Sequence, residues 1–109
     1  MIFVAVAMFL LKYEVTPVKG NPDVSRIGGA YVNGWVMAAS MEEGDVLLRK
    51  EIEAQYWRIK NRYAGVECSL DDYGTEDHGR EFHEQAIIDT WVLVVHTYPR
   101  VPRPSRRSA

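Results

Sequence analysis

The first eleven residues, "MIFVAVAMFLL", contain no polar or charged side chain and limit what this chain can fold into. The run is too short for a membrane-spanning helix, which needs about 20 apolar residues. No basic residue precedes it, Lys12 follows it, and no small-residue cleavage site lies in residues 13–16. We therefore expect a buried β-strand over residues 2–15 rather than a membrane segment or a secretion signal.

Both faces of this predicted strand are apolar, because successive side chains of a strand point to opposite sides. One face carries Phe3, Ala5, Ala7, Phe9 and Leu11, and the other carries Ile2, Val4, Val6, Met8 and Leu10. A strand that is apolar on both faces must be covered on both sides. A single layer of helices covers only one side, so we predict that a second copy of the chain covers the other in a homodimer.

The rest of the chain predicts three more strands and two helices. Alternating apolar residues indicate strands within residues 30–40, 56–69 and 90–99. Ser40 followed by Glu43 is a capping box that starts one helix, and residues 79–89 form the second. The order β-β-α-β-α-β predicts an α+β fold: a four-stranded, mostly antiparallel sheet with two helices on one face, a ferredoxin-like variant. We expect one domain over residues 1–99 and a basic disordered tail over residues 100–109.

The charge distribution argues against nucleic acid as a partner. The net charge is −2, but the last ten residues carry four arginines and no acid, which leaves −6 on residues 1–99. A folded nucleic-acid-binding surface needs clustered Lys and Arg. The tail is either a solvated end or a contact for phosphate or anionic lipid. We expect no membrane partner, and the single cysteine favours a reducing cytoplasm.

Few residues point to chemistry. His83 lies among the apolar residues of the 79–89 helix, where it either fills a core or lines a pocket as an acid, base or donor. His78 and His83 are five residues apart, which does not place them over each other on a helix, so we expect no metal. Cys68 lies beside acidic residues, which disfavour a thiolate. No glycine-rich loop opens a helix, so we expect no cofactor.

The aromatic residues indicate a binding cleft more than a catalytic one. All three tryptophans lie on predicted strands, where they either pack in the core or line an apolar pocket. The sequence therefore predicts a non-catalytic binding protein for a small apolar or aromatic ligand, with a cleft formed by Trp35, Trp57, His83 and Tyr98.

Two alternative functions stay open. The acidic body favours an inhibitor of the immunity-protein type, with Asp71, Asp72 and Asp77 meeting a basic protein partner. The other alternative is a small enzyme that uses His83 as acid or base beside a carboxylate.

The segments "GGAYVNGWVMAAS", with the "EE" and "LLRKEIE" that follow, and "FHEQAIIDTWVLVVHTYP" together carry a resemblance over about residues 28–99. The chain resembles small bacterial α+β proteins of unknown function that occur as orphan genes and in integron gene cassettes, which are mobile genetic elements. That resemblance implies a ferredoxin-like variant that dimerises. It includes no catalytic motif, so it assigns no functional residue.

Overall fold

The structure is a computed structural model that describes residues 5–74 and 77–100. It has four strands, two helices and a 3-10 turn in the order that the sequence predicts. These are β1 (Ala7–Pro17), β2 (Ile27–Ala38), α1 (Met41–Ala54), β3 (Trp57–Cys68), the 3-10 turn (Leu70–Asp72), α2 (His78–Asp89) and β4 (Trp91–Pro99). The α+β class and the four-stranded antiparallel sheet are confirmed.

The strands lie in the order β3-β1-β2-β4, which places the most apolar strand in the interior of the sheet. β1 pairs with β2 on one side and with β3 on the other. Edge strand β3 carries Arg58, Lys60 and Arg62, all exposed. Charged side chains on an edge strand discourage further strand pairing.

Helix α1 packs on one face of the sheet, over β1, β2 and β3. Ser40 caps its start by accepting a hydrogen bond from the Glu43 amide at 3.2 Å, as the capping signal predicts. The buried α1 residues are Gly44, Leu48 and Ile52. They pack against alternate residues of the two inner strands, which are Phe9, Leu11, Tyr13, Val15, Ala30, Val32 and Val36.

Helix α2 lies on the opposite face, so the expected placement of both helices on one face is wrong. Phe82 of α2 packs against Trp35, with ring centroids 5.2 Å apart. The neighbouring residue in the same strand, Gly34, faces Leu48 of α1. Because consecutive strand residues point to opposite faces, the two helices cover different sides of the sheet. A one-sided, ferredoxin-like arrangement would leave the second apolar face of β1 bare.

The second face is therefore covered from within the chain, but only at one end. The apolar cluster beneath α2 contains Met8, Leu10, Trp35, Met37, Phe82, Ala86, Val92 and Val94. Toward the other end of this face, Tyr31, Tyr63 and His96 are exposed. We call that uncovered part the open half of the sheet. The homodimer stays a prediction, but the α2 face does not require it in the way that the sequence argument supposed.

Parts of the sequence interpretation fall outside the described residues. These parts are the start of the predicted first strand (residues 2–4), two residues of the acidic loop (75–76) and the tail from residue 101. Within the described ranges, neither helix is long and apolar enough to cross a membrane.

Candidate functional site

A cleft opens where the first turn of α2 meets the open half of the sheet, with a volume of about 320 Å³. We call it the α2 cleft. Its apolar lining comes from both layers and consists of Leu10, Trp35, Phe82 and Val94. Its polar lining consists of Lys12, Asn33, Tyr73, Asp77, His78 and His96, with Gly79 between them. Clefts of this size with apolar walls and a few converging polar groups are typical of small-ligand sites.

The aromatic wall is fixed by a hydrogen bond and by ring packing. The Trp35 indole Nε1 donates to the Tyr73 hydroxyl at 2.9 Å. Trp35 is buried, and Phe82 lies against its ring at a tilt of 38°. An indole held at both its polar and its apolar side has little freedom to turn. The wall of the α2 cleft is therefore formed before any ligand arrives.

Behind this wall, Tyr73 also contacts two polar side chains, His83 and Cys68. Its hydroxyl lies 3.2 Å from His83 Nδ1 and 3.4 Å from Cys68 Sγ. The two other atoms, Cys68 Sγ and His83 Nδ1, are 3.7 Å apart, and the thiol also lies 3.7 Å from the Met8 carbonyl. A phenol has a single proton, so Tyr73 donates to the imidazole or to the sulfur but not to both at once.

All three groups are held in their neutral forms. Burial lowers the pKa of His83, although the nearby carboxylates of Asp72 and Glu84 oppose it. Burial also raises the pKa of the Cys68 thiol, and the charges of Asp72 and Glu67 add to that effect. Burial and the contact with Cys68 raise the pKa of Tyr73 to about 12. These shifts favour a neutral imidazole beside a protonated thiol, and a protonated thiol is a poor nucleophile.

Polar groups converge at the mouth of the α2 cleft from four elements. Lys12 and Asn33 are directly opposite each other on β1 and β2. His96 lies on β4, and His78 begins α2. These side chains can donate hydrogen bonds toward the same space, where an acceptor group on an aromatic or apolar ligand would lie.

The structure separates the four residues of the predicted cleft. Trp35 and His83 lie together on the α2 face, joined through Tyr73. Trp57 belongs to the core on the α1 face, so it cannot line the same cleft. Tyr98 lies on the α2 face but at the far end of the open half, where its hydroxyl donates to Glu14 at 2.9 Å.

The acidic residues proposed for a basic partner have local roles. Asp72 accepts a hydrogen bond from the Ser69 amide at 2.7 Å and caps the 3-10 turn. Asp77 accepts from the Gly79 amide at 2.8 Å and caps α2. Asp71 is exposed. Capping explains why two of the three acids stand where they do.

Sequence reasoning missed Tyr73 and Phe82 as site residues. Phe82 is four residues before Ala86 on the buried side of α2, so helical spacing alone could have indicated it. Tyr73 follows a turn among acidic residues, and no periodic pattern points to it. Its role depends on the return of the chain to Trp35, 38 positions earlier.

Among residues 5–74 and 77–100, no group of three or more His, Cys, Asp or Glu side chains is arranged to hold a metal ion. Comparison of the whole chain with protein-family models, with curated proteins and with solved structures finds no match.

Proposed function

We propose that this protein is a non-catalytic binding protein whose α2 cleft takes a small aromatic or apolar ligand with a hydrogen-bond acceptor, such as a carboxylate. The observation that carries the proposal is the fixed wall of Trp35 and Phe82 facing the donors of Lys12 and Asn33. An aromatic body fits against the wall, while its acceptor meets the donors. The raised pKa of the Cys68 thiol disfavours a thiolate nucleophile, so it gives no support to nucleophilic catalysis by this residue.

A thermal-shift screen tests this proposal with two matched sets of probes, aromatic carboxylates and the corresponding neutral amides. We expect several carboxylates to raise the melting temperature of the wild-type protein, because a ligand that binds only the folded state stabilises it. Replacing Lys12 with methionine should weaken the binding of the carboxylates more than the binding of the amides.

Two neighbouring residues of β4 provide a matched control. His96 lies on the cleft face and Thr97 on the other, and both are exposed. His96→Ala should reduce the shift from the best probe, whereas Thr97→Ala should leave it unchanged. A screen in which no probe stabilises the protein, or in which both variants behave alike, would contradict a ligand site in the α2 cleft.

The homodimer is a second part of the proposal, and exposed apolar side chains support it. Val6 and Val66 are each 53% exposed. Val66 pairs with Leu10, on the face that α2 covers only in part. A second copy packed there would remove these side chains from water. We expect light scattering to give the mass of two chains at micromolar concentration, and Val66→Lys to give one. A wild-type mass of one chain would contradict the dimer.

The geometry gives less support to the alternatives. His83 does not line the α2 cleft and reaches it only through the Tyr73 hydroxyl, which is an indirect position for an acid or base. For an immunity-type inhibitor, Asp72 and Asp77 are engaged as caps. Cytoplasmic location and an origin in a mobile gene cassette stay predictions from the sequence.

A further inference from the structure

A second cavity lies on the open half of the sheet, with a volume of about 360 Å³. Its lining consists of Glu14, Tyr31, Asn61 and Tyr63. None of these residues lines the α2 cleft, so the two cavities are separate sites. We call this one the tyrosine cavity.

Two tyrosine side chains line the tyrosine cavity together with the carboxylate of Glu14. Tyr31 meets Tyr63 edge to face, with centroids 6.1 Å apart, and meets Tyr98 at 5.4 Å. Glu14 is directly opposite Tyr31 on β2 and Asn61 on β3. Tyr31 and Tyr63 are 45% and 49% exposed, so part of each side chain is accessible from solvent.

A side chain of β4, two strands away from β1, holds the Glu14 carboxylate in place. The Tyr98 hydroxyl donates to Glu14 Oε2 at 2.9 Å, and this contact raises the pKa of Tyr98. A glycine at position 29 makes the contact possible, because a Cβ there would lie 2.2 Å from the Tyr98 hydroxyl. The only cation within bonding distance of Glu14 among the described residues is Lys60, at 3.5 Å and 52% exposed. An exposed ion pair of this kind contributes little to stability, so a ligand cation can displace Lys60 from Glu14.

We propose that the tyrosine cavity binds a small organic cation of the alkylated ammonium class. Such cations bind to the faces of aromatic rings, which carry negative charge density, and a nearby carboxylate adds direct attraction. A primary ammonium or a metal ion would lose more hydration on entering a site made mainly of rings. The proposal stands apart from the ligand of the α2 cleft, and either can fail without the other.

Titration with choline, followed by NMR of the backbone amides, tests the proposal. The control ligand is 3,3-dimethylbutan-1-ol, which has the same shape as choline without the charge. We expect choline to shift the amides of Glu14, Tyr31 and Tyr63, and to bind about tenfold more tightly than the neutral alcohol.

A third probe, N-acetyl-trimethyllysine methyl ester, presents the same head group on a lysine side chain. Tighter binding of that probe than of choline assigns the cation to a modified partner protein, and weaker binding assigns it to a free small molecule.

Four variants test separately how the carboxylate charge, the competing lysine and the aromatic ring affect choline binding. Glu14→Gln keeps a hydrogen-bond acceptor for Tyr98 and should weaken choline binding about fivefold or more, since it removes the charge. Lys60→Gln removes the competing cation and should strengthen binding by a few-fold. Tyr63→Phe keeps the ring and should bind like the wild type, whereas Tyr63→Leu should bind more weakly. Equal binding of choline and the neutral alcohol, or choline binding unchanged by Glu14→Gln, would overturn the proposal.

Discussion

At the residue scale, Tyr13 is the largest fully buried side chain in the described core, and its hydroxyl reaches a carboxylate. It donates to Asp45 Oδ1 on α1 at 2.7 Å. Arg49 donates to both oxygens of Asp45, and its guanidinium lies over the Tyr13 ring. Burial alone would raise the pKa of Asp45, but these hydrogen bonds and the charges of Arg49 and Arg62 lower it. The hydrogen bond between Tyr13 and Asp45 therefore connects β1 to α1.

Replacing Tyr13 with phenylalanine should lower the free energy of unfolding by about 1–3 kcal/mol, because a hydrogen bond to a charged group is lost. Urea denaturation at pH 7 measures the change. Tyr63→Phe is the matched control, since that side chain is exposed, and it should stay within about 0.5 kcal/mol of the wild type. Equal effects of the two substitutions would contradict the role assigned to the Tyr13–Asp45 contact.

The lowered pKa of His83 predicts a pH dependence of stability. In the unfolded chain the imidazole titrates near its ordinary pKa of 6.5, whereas burial lowers its pKa in the folded protein. The unfolded state therefore binds more protons between the two values, so stability is fully present above pH 6.5 and falls as the pH drops toward the folded pKa. Unfolding by urea at a series of pH values measures this loss.

His83→Gln removes the titrating group and keeps a side chain able to bond Tyr73. The His83→Gln variant should lose the dependence of the unfolding free energy on pH just below pH 6.5, even though the substitution lowers stability at every pH. His78→Gln is the control, because His78 is exposed, and should leave the profile unchanged. A profile that keeps its slope in His83→Gln would contradict the account of a buried neutral imidazole.

At the element scale, the close approach of α1 to the sheet depends on a glycine within the helix. A Cβ at Gly44 would lie 2.8 Å from Val36 Cγ1, and valine is too stiff to move aside easily. Gly44→Ala should therefore destabilise the protein by about 1–2 kcal/mol through overpacking, although alanine is the better helix former by about 1 kcal/mol.

Val46 provides the comparison for this prediction, because it lies on the same helix and is 69% exposed. Val46→Ala should be neutral or slightly stabilising, since only helix propensity changes there. Thermal or urea unfolding of both variants checks the pair. A stabilised Gly44→Ala variant would mean that α1 lies further from the sheet than the structure places it.

The elements could be predicted from the sequence because their signals are local. Alternation indicated the strands, including β4 within residues 90–99, and the serine cap marked the start of α1. The side of the sheet on which α2 packs could not be predicted, because it depends on the connection after β3 and on contacts such as Trp35 with Phe82. The candidate site was only half predicted for the same reason, since Trp57 and Trp35 face opposite sides.

At the scale of the whole molecule, the sheet lies between two helices that cover unequal areas. Helix α1 packs over β1, β2 and β3 on one face, and α2 covers one end of the other. The inner strand β1 is shielded on both sides where it is most apolar, and becomes polar at Lys12 and Glu14, where the second face opens. The tyrosine cavity lies on this open half, and the α2 cleft lies where α2 meets it.

The placement of the helices on opposite faces can be measured directly as a distance between spin labels. Val46 of α1 and Ile88 of α2 are 69% and 76% exposed, so both accept a label without disturbing the core. Cysteines at these positions, with Cys68 replaced by serine, allow pulsed electron spin resonance.

Layers pack about 10 Å apart, so helices on opposite faces have axes about 20 Å apart and outward labels about 30 Å apart or more. Helices side by side on one face would have axes only about 8–10 Å apart. A distribution centred at about 30 Å or beyond is the predicted result, and one centred below about 20 Å would contradict the account.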